Sequence, residues 1–205
     1  MNHGKLYIIA APSGAGKTSL VKQLVADLDS LTVSISHTTR PMRPGEAHGR
    51  DYYFVSIADF QAMLEQQAFL EHARVFDNFY GTARQTVQEN LSQGLDVILE
   101  IDWQGAQQIK QLLPDSQSIF ILPPSTAVLQ QRLRNRGQDD EQIIARRMRD
   151  AVAEMSHYHE FDYLVVNDDF EQALAALKSI LIANRLTRQR QQHKLAPLLK
   201  ALLSR

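Results

Sequence analysis

The sequence predicts an α/β fold, a parallel sheet with flanking helices, interrupted by one inserted lobe. Three observations predict it. Five short runs are apolar on both alternating faces, as strands buried inside a parallel sheet are. Segments of helical period separate most of these runs, so strand and helix alternate as right-handed crossovers require. Residues 36–92 break the alternation with polar stretches and turns at Pro41, Pro44, Gly45, Gly49 and Gly81, which reads as an insertion.

In chain order, the strands are expected at 5–11 (KLYIIAA), 31–35 (LTVSI), 97–101 (VILEI), 118–122 (SIFIL) and 163–166 (YLVV). Helical period covers 17–28, 104–113, 126–136 and 141–157. A last long helix starts near Asp169, carries Leu174, Leu177, Leu181 and Ile182 on one stripe, and continues into a basic tail. The expected organisation is a single domain over 1–205. Its core comprises 1–35, 93–127 and 158–205, its inserted α+β lobe 36–92, and an arginine-rich helical segment about 128–157.

Composition narrows the function classes. The chain has 205 residues, 22 Lys and Arg against 23 Asp and Glu, 44% hydrophobic residues and no cysteine. A chain of this length buries a sufficient core without a structural staple. The absence of cysteine excludes thiol catalysis, thiolate metal sites and disulfides. No apolar stretch approaches the roughly 18 residues of a membrane span, and the run at 6–11 is too short for a signal-peptide core. A cytoplasmic location with no membrane partner is therefore expected. The near-neutral total hides an asymmetry, because residues 185–205 carry six basic groups and no acid. That tail reads as a solvated helix face, and the acidic body argues against DNA as a partner. The histidines show no metal-ligand spacing.

Ala11, Pro12, Ser13, Gly14, Ala15, Gly16, Lys17 and Thr18 follow the first strand and open a helix. This is the setting of a phosphate-binding loop: small residues let backbone N–H groups face one concavity, the helix N-terminus adds positive charge, and Lys17 reaches β- and γ-phosphates. Thr18 would place its hydroxyl on Mg²⁺. Glu100 and Asp102 close the third strand, two apart and so on one face. One carboxylate could orient a magnesium-bound water and the other meet an acceptor substrate.

The lobe bears on which acceptor. Arg40 and Arg43 stand three apart between prolines, before Glu46 and Tyr52. Arginine forks grip phosphate oxygens bidentately, and a phenol adds a donor. Farther on, Glu71 stands among apolar residues, and Tyr80 and Thr82 flank Gly81.

The stretches APSGAGKT, SHTTRPMRPGE, GRDYYFV, FLEHA, YGTA, LEIDWQGAQQI, RLRNRG and VVNDD, in this order, make the chain resemble the guanylate kinase family over essentially its whole length. The resemblance implies a phosphate-loop kinase core, a GMP-binding lobe and an arginine-rich lid. It implies Mg-dependent transfer of the ATP γ-phosphoryl group to GMP or dGMP, in purine nucleotide metabolism and GMP recycling. Arg40, Arg43, Tyr52 and Tyr80 then correspond to contacts of the GMP phosphate, and Ser36, Glu71, Thr82 and Asp102 to residues around guanine. Arg132, Arg136 and Arg147 correspond to lid arginines near the transferring phosphate and adenine, and Asn167 to the adenine side. Ala11 stands where the usual pattern has glycine, and Glu100 where the family commonly has aspartate. Glu100 is thus assigned only a place near the metal's water shell. Guanine chemistry suits the set: O6 can take the Ser36 proton while Glu71 accepts from N1 and N2. Two other readings stand beside this one, a scaffold that binds a phosphopeptide without catalysis and a kinase acting on a ribose bisphosphate. Assembly of identical chains is left open.

Overall fold

The computed structural model of the chain describes residues 3–75, 77–135 and 141–204. Two sheets organise it. The larger is built from β1 (Leu6–Ala10), followed after a loop by α1 (Lys17–Asp27), and from β2 (Leu31–Val33). The smaller follows directly, from β3 (His37–Thr38), β4 (Tyr53–Phe54), α2 (Ile57–Glu65), β5 (Phe69–Val75) and β6 (Asn78–Ala83). The chain then passes through α3 (Arg84–Ser92), β7 (Asp96–Glu100), α4 (Trp103–Leu112), β8 (Gln117–Leu122), α5 (Thr126–Asn135) and α6 (Glu141–Met155). It ends with β9 (Tyr163–Val166), α7 (Phe170–Arg185), α8 (Arg188–Lys194) and α9 (Ala196–Leu203).

The larger sheet is parallel throughout, in the order β2-β7-β1-β8-β9. Its central strand shows why the apolar run was legible. Tyr7 and Ile9 join the layer under α1 and α7, with Leu20, Leu24, Leu174, Leu177 and Leu181. Leu6 and Ile8 face the opposite layer, with Val87 and Leu91 of α3 and Ile109 of α4. Both faces of β1 are thus removed from water, which an alternating polar strand could not tolerate. β1 ends beside the ends of β7 and β8, and the chain leaves all three at the same edge, where parallel sheets hold their ligands.

The smaller sheet has the order β4-β3-β6-β5, with β5 and β6 an antiparallel hairpin. Its register sets Glu71 directly across from Thr82. Phe60 of α2 covers its other side, stacked on Phe69 at 4.5 Å between ring centroids and on Phe79 at 5.5 Å.

The sequence-based expectations hold for the five parallel strands within a residue or two. They fail at the C-terminus. The basic tail does not continue α7; Arg185 ends that helix, and two short helices follow. Two charges explain the break. Arg185 Nε donates to Asp96 Oδ2 at 2.8 Å and Arg190 Nη2 to Asp96 Oδ1 at 2.8 Å. A straight continuation places residues five apart on opposite faces of the helix, whereas here both reach one buried carboxylate. Pro197 in the first turn of α9 forbids a further continuous run. So these two arginines are anchors and not part of a solvated face. Among the described residues, no helix is long and apolar enough to cross a membrane.

Candidate active site

The loop between β1 and α1 turns through Gly14 (φ 94°) and Gly16 (φ 92°), left-handed conformations that favour glycine. Gly16 caps α1 without any side-chain bond, so the helix presents its first N–H groups to whatever lies in front of it. The loop is held from behind. Asn167, just past β9, donates its side-chain amide to the Ala15 carbonyl at 2.7 Å. A Cβ on Gly16 would lie 2.3 Å from that amide nitrogen. The small residues of Ala11, Pro12, Ser13, Gly14, Ala15 and Gly16 therefore serve both the turn and this contact.

Thr18 Oγ1, one residue into the helix after Lys17, donates to Glu100 Oε2 at 3.3 Å. Ile9 pairs with Glu100 across β1 and β7, which brings that carboxylate beside the loop. Asp102 is placed differently from the sequence expectation of a shared strand face. β7 stops at Glu100, and Asp102 caps α4, its carboxylate accepting from the Gly105 N–H at 3.0 Å and the Gln104 amide at 3.1 Å. Burial raises its carboxyl, while the Gly105 N–H and then Lys17 pull it down.

Glu71 projects from β5 and is 3% exposed. Thr82 Oγ1 donates to its Oε1 at 2.5 Å, as their cross-strand register dictates. Burial, with Asp102 nearby, pushes the Glu71 carboxyl up to about 7 against the Thr82 hydrogen bonds. Gly105 makes the fit possible, since a Cβ there would stand 2.6 Å from Glu71 Oε2. Ser36 is buried just before β3.

At the mouth of the lobe, Arg40 forks onto Glu46 through Nη1 at 3.0 Å and Nη2 at 2.8 Å. Glu46 also accepts from the Arg43 N–H at 2.8 Å, which fixes the turn that carries both arginines. Sequence reasoning quoted Glu46 but gave it no role; the two-residue Pro-Gly spacing before it was the available signal. Arg40 lies over the Tyr52 ring at 5.3 Å. Tyr52 and Tyr80 meet edge to face at 6.0 Å. Burial, then Tyr80 and Glu100, raises the Tyr52 phenol to about 12, so Tyr52 stays a donor at neutral pH and lies within electrostatic reach of the loop side. The Arg43 side chain is exposed at the rim of this cluster, close enough for its charge to act on the Glu46 carboxylate.

Arg132 Nη2, from α5, donates to the Asn167 carbonyl at 3.0 Å. Its Nη1 is buried with no partner among the described residues. Such an orphaned charged donor is costly to leave unmade, and it stands next to the loop's own anchor. Arg147 is half-buried on α6, and Arg136 lies outside the described residues. Trp103 next to Asp102 stacks on His157 at 3.6 Å and packs rather than reacts.

Residues 3–184 match the family description Guanylate kinase. The chain is 59% identical to a guanylate kinase of Methylococcus capsulatus, over 99% of this chain and 100% of that one. It is 55% identical to the guanylate kinase of Escherichia coli over 100% of both chains. The crystal structure of guanylate kinase from Anaplasma phagocytophilum superposes with a TM-score of 0.78 and 32% identity, covering 92% of this chain and 90% of that one.

Proposed function

Because the chain belongs to the guanylate kinase family, we propose an assignment of its residues to two nucleotides. The chain is an ATP:GMP phosphotransferase, a nucleoside monophosphate kinase yielding ADP and GDP. ATP lies in the loop of residues 11–16 with Lys17 on its outer phosphates and Asn167 on the adenine side. Thr18 and Glu100 offer hard oxygen donors 3.3 Å apart, which suits Mg²⁺ held mainly by phosphates and water. Bound there as MgATP, the ion would offset charge on the β- and γ-oxygens.

GMP lies in the lobe of residues 36–92. Ser36 donates to guanine O6, and Glu71, steadied by Thr82, accepts from N1 and N2. Asp102 borders the base, and Arg40, Arg43, Tyr52 and Tyr80 hold its phosphate. GMP and dGMP share every group these residues read, and purine nucleotide metabolism with GMP recycling is the corresponding role. A cytoplasmic location without a DNA or membrane partner belongs to the same proposal.

The observation that carries the assignment is the succession Glu71, Asp102, Lys17. The Asp102 carboxylate accepts from the Gly105 N–H at 3.0 Å, a Cβ on Gly105 would stand 2.6 Å from Glu71 Oε2, and Lys17 acts electrostatically on Asp102, so Asp102 lies between the acid proposed to read the base and the ammonium proposed to hold phosphate. An oxygen of the GMP phosphate attacks the γ-phosphorus, and the bond to the bridging oxygen of the departing ADP breaks. A phosphate with its second ionisation near ~6 is mostly ionised at pH 7, so no general base is needed. The residues instead offset the repulsion of two anions. Lys17, Arg132, Arg136 and Arg147 supply that charge, with Arg132 Nη1 the donor waiting for an oxygen. The segment 128–157 acts as a lid, closing with the lobe to exclude water.

A coupled assay offering MgATP with GMP, dGMP, AMP, CMP, UMP and a ribose bisphosphate tests this. ADP should form with GMP and dGMP alone. Tight GMP binding without turnover would favour a scaffold, and turnover of the sugar phosphate a different kinase.

A further inference from the structure

Neither the motifs nor the family resemblance assigns Glu154, yet it reaches the phosphate loop from α6. The Ser13 N–H and Lys17 both lie near enough to stabilise the charge of its carboxylate. Packing directs it there from two sides. Met148, Ala151 and Met155 of α6 pack against Leu129 and Leu133 of α5. Those two leucines also close on Gly14, where a Cβ would stand 3.0 and 3.1 Å from their methyl groups. Two residues past the end of α6, His157 stacks on Trp103 with 6° between the ring planes. Glu154 thus stands between two fixed points, on the face that helical spacing shares with Asp150 and Arg147.

A loop of backbone N–H groups with one ammonium concentrates positive potential. An anion placed in that field is favoured, and α6 provides one from within the chain. Facing it are Lys17 from α1, Asp102 from the β7–α4 corner and Asp150 from its own helix. Burial first, then the two acids, raises its carboxyl to about 7 against the pull of Lys17 and the Ser13 N–H.

We propose that Glu154 is an internal counter-anion of the phosphate loop, which competes with the donor nucleotide's phosphates for Lys17 and withdraws when they bind. It is a positioning residue, and through it α6 responds to occupancy of the loop. The inference rests on the donor-site assignment above. Polyphosphate and carboxylate carry like charge in a partly buried site, where water screens their repulsion poorly.

Titration calorimetry at pH 8, where the carboxyl is ionised, tests this with ADP, with a non-hydrolysable MgATP analogue and with GMP. Glu154→Gln keeps an oxygen for Ser13 and removes the charge. Both adenine nucleotides should bind about three- to tenfold more tightly, the size of one such repulsion, with GMP unchanged. Glu154→Ala should shift in the same direction and serves if the glutamine variant does not fold. A residue with only a structural role would not tighten a ligand when replaced. Adenine nucleotide affinity that is unchanged or weaker in a folded variant overturns the proposal. Failure of the wild-type chain to bind either adenine nucleotide would instead overturn the donor-site assignment.

Discussion

Asn167 donates its amide to the Ala15 carbonyl at 2.7 Å, joining the end of β9 to a loop 152 positions earlier. The shape of the phosphate loop therefore depends on a residue outside the motif. Asn167→Ala removes a buried bond and leaves a carbonyl unpaired, a loss of about 1–2 kcal/mol. ATP affinity should fall by about 5- to 30-fold, with GMP affinity unchanged, as parallel titrations of the two nucleotides would reveal. Equal losses for both would mean that Asn167 supports the fold at large.

Arg132 donates through Nη2 to the Asn167 carbonyl, and in the proposed assignment its buried Nη1 meets an oxygen of the transferring phosphate. A lysine keeps the charge but has no fork with which to span both. Arg132→Lys should lower the single-turnover rate about 10²-fold or more, and Arg132→Ala about 10³-fold. A lysine variant of wild-type rate would remove Arg132 from the transfer step.

Asp96 is fully buried and takes three bonds: from the Lys5 N–H at 2.7 Å, Arg185 at 2.8 Å and Arg190 at 2.8 Å. Asp96→Asn leaves two arginines facing a neutral group. The expected cost is about 3 kcal/mol, a fall in Tm of roughly 6–12 °C, with kcat preserved in the remaining folded protein. Calorimetry of Arg190→Ala should show part of the same loss.

The raised Glu71 carboxyl sets a pH dependence. Its folded value of about 7 exceeds the ordinary 4.5, so the ligand-free folded chain keeps a proton that the unfolded chain loses. Its contribution to stability is unperturbed below 4.5 and declines as pH rises toward 7, costing about 3 kcal/mol at pH 8. In the proposed assignment guanine N1–H and N2–H need the ionised form, so GMP should displace about half a proton near pH 7 and bind about fivefold more weakly at pH 6 than at pH 7. Calorimetry in two buffers of different ionisation enthalpy measures the released proton, with Glu71→Gln correcting for the GMP phosphate.

Much of this was legible in the sequence because the signals are local. β1 is apolar at every position, the loop follows it at once, and Glu71 and Thr82 stand in short motifs. Asp96 was not legible: the third strand was expected to begin at Val97, and the arginines that pair with Asp96 are about 90 positions away. Glu154 looks like any acid on an amphipathic helix until α6 is seen packed on α5, whose leucines close on Gly14. Asp102 was read as a strand residue because the i, i+2 pattern cannot show where a strand yields to a helix cap. β3 and β4, two residues each, are too short to register as a period at all.

In the proposed assignment Glu71 reads guanine while Lys17 and its loop hold ATP. Steady-state kinetics of Glu71→Gln with each nucleotide varied separately test it most directly. The kcat/KM for GMP should fall at least about 100-fold, as expected for a lost charged hydrogen bond and an unpaired donor, while the KM for ATP should stay within about twofold of wild type, less than about half a kcal/mol. Loss of both parameters in equal measure would contradict it.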